Sequence, residues 1–280
     1  MSAAATMGLA WRRHPNMVLG AAMLAAICLA AMAAPWLGTI DPQKIAPFDR
    51  LRPPDSSFWF GGDLIGRDVY SRTVYGARVS LIVGLGVATL SIVFGLMVGL
   101  LSGFVRWVDG VMMRVMDGVM AIPSILLAVA LIALTGASLK NVIIAITVAE
   151  IPRVARLVRS VVLSLKEQPF VEAAITAGTP FFAILWRHVL PNTLAPLLVQ
   201  GTYIFASAVL TEAILSFIGA GTPPSIPSWG NIIAEGRTVF HIAPHIVLLP
   251  GLALSVTVLA VNLLGDGLRD HFDPRFVSRA

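Results

Sequence analysis

Long apolar runs alternate with short charged segments along this chain, and each run is long enough to matter to a membrane. A hydrocarbon layer of about 30 Å takes roughly 20 apolar residues in a helix. Residues 14–40 follow Arg12 and Arg13 without another formal charge and predict a first span, about 17–37. Its length argues for an anchor over a cleaved signal peptide. Residues 41–78 are Pro-rich and carry six basic and five acidic side chains, so they belong outside the bilayer. Residues 79–105 are uncharged and predict the second span. Gly95, Gly99 and Gly103, four residues apart, share one face of it and permit close approach of another helix. Residues 118–139 predict the third span, entered through "VDGVMMRVMDG", which reads as a short loop holding Asp109, Arg114 and Asp117.

The fourth span is interrupted early by Glu150, Pro152, Arg153, Arg156 and Arg159. A helix over 138–158 puts Glu150 within reach of Arg153 at i,i+3 and lets the later arginines snorkel to an aqueous face. Residues 193–218, broken only by Glu212, give the fifth span, and 246–264 the sixth. Between them "GAGTPPSIPSWGN" cannot be helical throughout. Gly84-Leu85-Gly86 lies inside a span, without a preceding strand, and is no dinucleotide loop.

Composition agrees with the pattern: 280 residues, 57% hydrophobic, 12% charged, mean hydropathy +0.84. The fold class predicted is an all-α polytopic membrane protein with six transmembrane helices and no separate soluble domain of ordinary size. Cys28, the only cysteine, can form no intrachain disulfide. The net charge of +5 is scattered among loops, which suits membrane orientation better than nucleic-acid binding. Six spans place both termini on one side, the cytoplasm, with twelve of the 20 Lys and Arg inside and eight outside.

"PFVEAAITAGTPFFAILWRHVLPN", residues 169–192, is too broken to span. Capping rules divide it into two short helices. Pro169 suits a first helical position and Gly178 the left-handed residue that ends a helix. Thr179 then caps a second helix by its hydroxyl, Pro180 takes the first position, and Leu190-Pro191 closes it. Helices this short need a surface to dock on. Ala173, Ala174 and Ala177 permit close approach on the first, and Phe181, Phe182, Ile184, Leu185 and Trp186 give the second an apolar surface. The pair reads as a helix offered to a partner's groove.

The order Glu-Ala-Ala, three residues, Gly, and Leu-Pro twelve positions later resembles the EAA loop of bacterial ABC importer permeases, through Glu172, Ala173, Ala174, Gly178, Leu190 and Pro191. His188 departs from the general pattern, although an Arg-His pair there is common in the peptide branch. "GGDLIGRDVYSRTVYGARVSLIVG" (61–84), "LTEAILSFIGAGTPPSIPSWGNIIAEGR" (210–237) and "NLLGDGLRDHFDPR" (262–275) resemble the dipeptide, oligopeptide and nickel branch.

The resemblance implies a type I importer permease in the bacterial inner membrane. Its EAA loop, about 167–191, couples to an ATPase subunit. Implied boundaries are an anchor and external connection over 1–77, a permease domain over 78–267 and a cytoplasmic tail over 268–280. Implied partners are a second related permease, two ABC ATPase subunits and an external substrate-binding protein. The cargo is di- or oligopeptides, with nickel or a metal chelate as the alternative. No Gly-x-x-x-x-Gly-Lys-Ser/Thr loop occurs, so no ATP hydrolysis is expected of this chain, and ATP and Mg would bind the ATPase subunits.

An intramembrane enzyme would need convergent groups from His14, His188, His241, His245, Glu150 and Glu212. Pro244 between His241 and His245, and the lack of a third ligand nearby, argue against zinc. Glu212, an intramembrane acid, reads as a structural group at the outer vestibule. A secondary transporter would show more ionisable residues at mid-membrane and an internal repeat.

Overall fold

The computed structural model describes residues 15–272. The described residues form nine main helices, here α1 (Pro15–Met32), α2 (Val69–Phe104), α3 (Arg106–Met120), α4 (Ser124–Thr135), α5 (Leu139–Lys166), α6 (Pro169–Thr176), α7 (Phe181–Phe217), α8 (Trp229–Gly236) and α9 (His245–Phe272). Helices α1, α2, α7 and α9 are each long and apolar enough to cross a bilayer. The bent pair α3–α4 makes a fifth crossing if it counts as one. Helix α5 has the length, 28 residues, but carries the charges already noted.

Glycine contacts set the helix directions. A Cβ on Gly95, Gly99 or Gly103 of α2 would strike Val154, Val158 or Val162 of α5 in turn. The two series rise together, so α2 and α5 run parallel along a seam of small residues against valines, as the four-residue spacing predicts. Gly84 meets Phe205 and Val209, and Gly201 meets Ile92, so α7 runs antiparallel to α2. Gly20 abuts the backbone at Ala260 and Leu264, and Gly267 that at Met17, so α1 is antiparallel to α9. Because α2 and α5 run the same way, the chain between them has to return through α3–α4.

That return differs from the expected third span. Residues 106–120 are a helix, not a short loop, and the chain turns by 90° before Ser124. The reason lies in its two faces. Trp107, Val111 and Val115, one turn apart, are exposed on one side. Asp109 and Asp117 on another meet α5: Arg159 donates to both Asp109 oxygens, and Arg156 to Asp117 at 2.5 Å. Helix α3 thus lies against α5 by its charged positions and leaves its apolar face open. Only α4, with Ala128 and Ile132 buried, turns into the bundle. Arg156 and Arg159, expected to snorkel, are ion-paired instead.

The second span starts ten residues earlier than the apolar run, because Asp68 caps it by accepting from the Ser71 N–H at 2.9 Å and the Ser71 hydroxyl at 2.5 Å. The fourth follows the prediction: Ser138 caps α5, and Arg153 Nη1 donates to Glu150 at 2.8 Å. Arg12, Arg13 and His14, and most of the proposed tail (273–280), lie outside the described residues.

Candidate functional site

The two ends of the bundle carry different chemistry. At one end, α2 and α5 finish, α7 begins, and α6 packs between the end of α5 and the start of α7. Val171 of α6 is fully buried in the core that holds Val158, Val162, Ile184 and Val189, with Ala174, Phe104 and Phe181 against its edge. Phe104 and Phe181 meet edge to face. The opposite face of α6 is open: Glu172, Ala173 and Ile175 are exposed, as is Phe170 in the first turn. Glu172 stands in that first turn, where a carboxylate suits the positive end of the helix dipole.

Helix α6 stops by a Schellman motif. The Thr179 N–H donates to Ala174 O and the Gly178 N–H to Ile175 O, both at 3.0 Å, and Gly178 has φ +73°. Pro169 opens the helix. Both features follow the capping rules read from the sequence.

The second short helix does not. Pro180 itself is the N-cap, and Thr179 makes no side-chain cap there. Leu190-Pro191 closes nothing: the chain widens into a π turn over Leu185–Val189 and continues as α7. A proline in a regular helix clashes with the carbonyl four residues earlier. The wider π turn relieves that clash, and Asn192 Nδ2 caps His188 O at 2.6 Å. Phe182 and Trp186 remain exposed, whereas Ile184 and Leu185 are buried. Glu172, Ala173, Ala174 and Gly178 thus share one exposed helix and turn, with Leu190 and Pro191 one helical segment away.

The other end is a polar cap built from residues 37–68 and 218–244. Arg72, 1% exposed, donates to Asp63 at 2.7 Å and to Glu235 at 2.5 and 3.2 Å. Arg67 joins the same two carboxylates. Asp63 Oδ1 also accepts the N–H groups of Ile65 and Arg67 at 2.9 Å. In the same connection, the N–H groups of Phe58 and Ser57 and the guanidinium of Arg52 hold the Asp55 carboxyl below its ordinary pKa. Trp229 of α8, buried, donates its indole N–H to Thr73 O at 2.9 Å. Asn231 Nδ2 ties down the Gly/Pro loop through Thr222 O, Pro223 O and Ile226 O, each at 3.1 Å.

Glu212 lies beneath that loop with no exposed surface, accepting from Ser216 at 2.8 Å and Thr222 at 3.2 Å. It stands 27 residues of helix beyond Leu185, or about 40 Å, so α6 and Glu212 are at opposite ends.

Sequence reasoning missed the Asp63–Arg67–Arg72–Glu235 cluster, because its halves lie more than 160 residues apart. It also missed Asp109 and Asp117 as helix partners, although their eight-residue spacing, two turns, carried that signal. Among the described residues, no His, Cys, Asp or Glu cluster is arranged to hold a metal.

Residues 91–278 match the family described as "Binding-protein-dependent transport system inner membrane component". The chain is 55% identical over 264 residues to the probable peptide ABC transporter permease protein y4tQ of Sinorhizobium fredii, covering 94% of this chain and 90% of the relative. It is 42% identical to the dipeptide transport system permease protein DppC of Alkalihalophilus pseudofirmus (95% and 88% covered) and 40% identical to the glutathione transport system permease protein GsiD of Escherichia coli (95% and 89% covered). Among solved structures, an inward-facing MetNI methionine ABC transporter superposes with a TM-score of 0.58 at 23% identity, covering 72% of this chain and 96% of that one.

Proposed function

The chain belongs to the binding-protein-dependent transport system inner membrane components, and from that premise we propose that it is the permease subunit of an ABC importer that carries peptides inward. Peptide, dipeptide and glutathione permeases among the relatives support a peptide cargo over nickel or a metal chelate. The observation that carries the mechanism is the exposed face of α6. A short helix is anchored by Val171, aimed by the left-handed Gly178, and, among the described residues, left without a partner on its Glu172–Ala173 side. A docking motor that pushes on α6 pushes on the end of α5 and the start of α7, against which α6 packs, and through Phe181 on Phe104 at the end of α2. ATP-driven closure then biases the equilibrium between inward-open and outward-open states.

The motor, with its ATP and Mg, is assigned to two separate ATPase subunits, beside a second related permease and an external substrate-binding protein. The permease domain runs over 78–267, behind an anchor and external connection over 1–77 and ahead of a cytoplasmic tail. Purified alone, the chain is expected to hydrolyse no ATP above background. Assembled with these partners in proteoliposomes, it should accumulate peptide only when ATP is supplied on the α6 side. Robust hydrolysis by the isolated chain sinks the reading.

The helix directions favour six crossings with both termini cytoplasmic, the polar cap outside and α6 inside. After Cys28→Ser, single substitutions Ser57→Cys and Thr176→Cys, both at exposed positions, should react with an impermeant thiol reagent from opposite sides of permease-only vesicles. Reaction of both from one side refutes this topology.

A further inference from the structure

The charge pair in α5 sits at a depth where charge needs a reason. Val154 packs on Gly95 of α2, three residues from Ile92, the centre of the uncharged run 79–105. Arg153 is therefore about one turn from mid-membrane. Its side chain is nonetheless 54% exposed, while its partner Glu150 is 5% exposed. Glu150 engages only Nη1 of the five-donor guanidinium, at 2.8 Å. A half-exposed arginine at this depth would be costly against hydrocarbon.

The neighbouring surface has the same character. Ser207 of α7 lies 3.5 Å from Glu150, and Tyr203 and Gln200 follow at helical spacing on the same face of α7. Tyr203 donates to Asp266 of α9 at 2.7 Å, and with Gln200 and Arg269 it lines a cavity of about 350 Å³ towards the α6 end. A polar track thus leads from Arg153 at mid-depth to the inner end of the bundle. Helix α5 adds Ser160 and Ser164, both exposed on the Arg153 face.

We propose that this α5–α7 face lines an aqueous path and that Arg153, held by Glu150, is the contact for the carboxylate of a passing peptide. The proposal rests on the peptide-importer reading. Glu150 neutralises the guanidinium, so the site attracts an anion without trapping it. The free donors of the planar fork match a carboxylate in two parallel bonds. A peptide's C-terminal carboxylate is the one anionic group shared by peptides of any side-chain composition, which suits a contact made in passing.

The test uses the complete importer in proteoliposomes, with Cys28→Ser as background and dialanine as the probe. Arg153→Cys should react with an impermeant anionic thiosulfonate during turnover, and dialanine should slow that reaction. Arg153→Met should lower maximal dialanine transport about tenfold or more, and because it leaves Glu150 unpaired its assembly is compared with that of the double variant below. Arg153→Lys should retain part of the rate. The double variant Glu150→Gln, Arg153→Gln leaves no unpaired charge, so it controls for folding and should transport as poorly as Arg153→Met. A parent importer that moves no peptide overturns the importer reading and this contact with it. A parent that transports, combined with a position 153 thiol that is unreactive or reacts equally with and without dialanine, overturns the contact alone.

Discussion

Arg72→Met should lower the unfolding free energy by about 3–5 kcal/mol, the range for removing one partner from a buried ion pair. The cluster at the polar end is charge-balanced: Arg67 and Arg72 face Asp63 and Glu235. Asp63 and Arg72 each keep only 1% of their side-chain surface exposed. Removing Arg72 leaves two carboxylates to share the Arg67 guanidinium, with an uncompensated negative charge away from water. The damage is not local, because Arg72 opens α2, Asp63 lies in the connection and Glu235 is in α8. Lysine should rescue only in part, since one ammonium can stand in for Nη1, which bonds both acids, but not for the Nη2 bond to Glu235 Oε1 at 3.2 Å. Asp63→Asn together with Arg72→Met removes opposite charges and should recover part of the loss. Thermal unfolding of the detergent-purified chain, with limited proteolysis of residues 37–68, reads the effect. An unchanged midpoint for Arg72→Met means that the cap is not closed by this cluster.

Sequence legibility followed the range of the interactions. Gly95, Gly99 and Gly103 announced a packing seam because a four-residue repeat is a local property of one helix, and the seam exists against Val154, Val158 and Val162. The ends of α6 were legible for the same reason: Pro169 and Gly178 act on their own backbone. The Arg153–Glu150 pair, one turn apart, belongs to this class too.

What failed depended on partners elsewhere. Asp109 and Asp117 made 108–118 look like a loop, because a charge in an apolar chain reads as an exit from the membrane. Arg159 and Arg156 of α5 turn those charges into helix contacts. Leu190-Pro191 looked like a stop because proline breaks regular α-helix, and the π turn that accommodates it has no local signature. Arg67 and Arg72 were legible only as two of the charges that put 41–78 outside the bilayer, and their partner Glu235 comes from α8. Glu212 was legible as an unusual residue, but its enclosure by Ser216 and Thr222 depends on the fold of the Gly/Pro loop.

Gly178→Val should uncouple transport from ATP hydrolysis while leaving the permease in the membrane. Gly178 has φ +73°, and a Cβ there meets nothing within 4 Å. The whole penalty is therefore conformational, about 1–2 kcal/mol for a residue with a β-carbon in the left-handed region, and more for a branched one. Relief of that strain requires the chain to leave the left-handed region, which breaks the Thr179–Ala174 and Gly178–Ile175 bonds that end α6. The aim of α6, and with it of Glu172 and Ala173, then changes relative to the start of α7, while the seam between α2 and α5 is untouched. Asparagine tolerates this conformation, so the predicted order of transport is Gly, then Asn, then Ala, then Val. Membrane insertion should stay level across the series. Co-purification of the ATPase subunits should weaken in the same order, and peptide transport should fall faster than expression. Glu172→Ala, which removes a charge and keeps the turn, should be milder unless that carboxylate meets a basic group on the motor. If Gly178→Val transports like the parent with its ATPases bound, a left-handed turn at 178 is not what aims the helix, and the coupling role of α6 loses its physical basis.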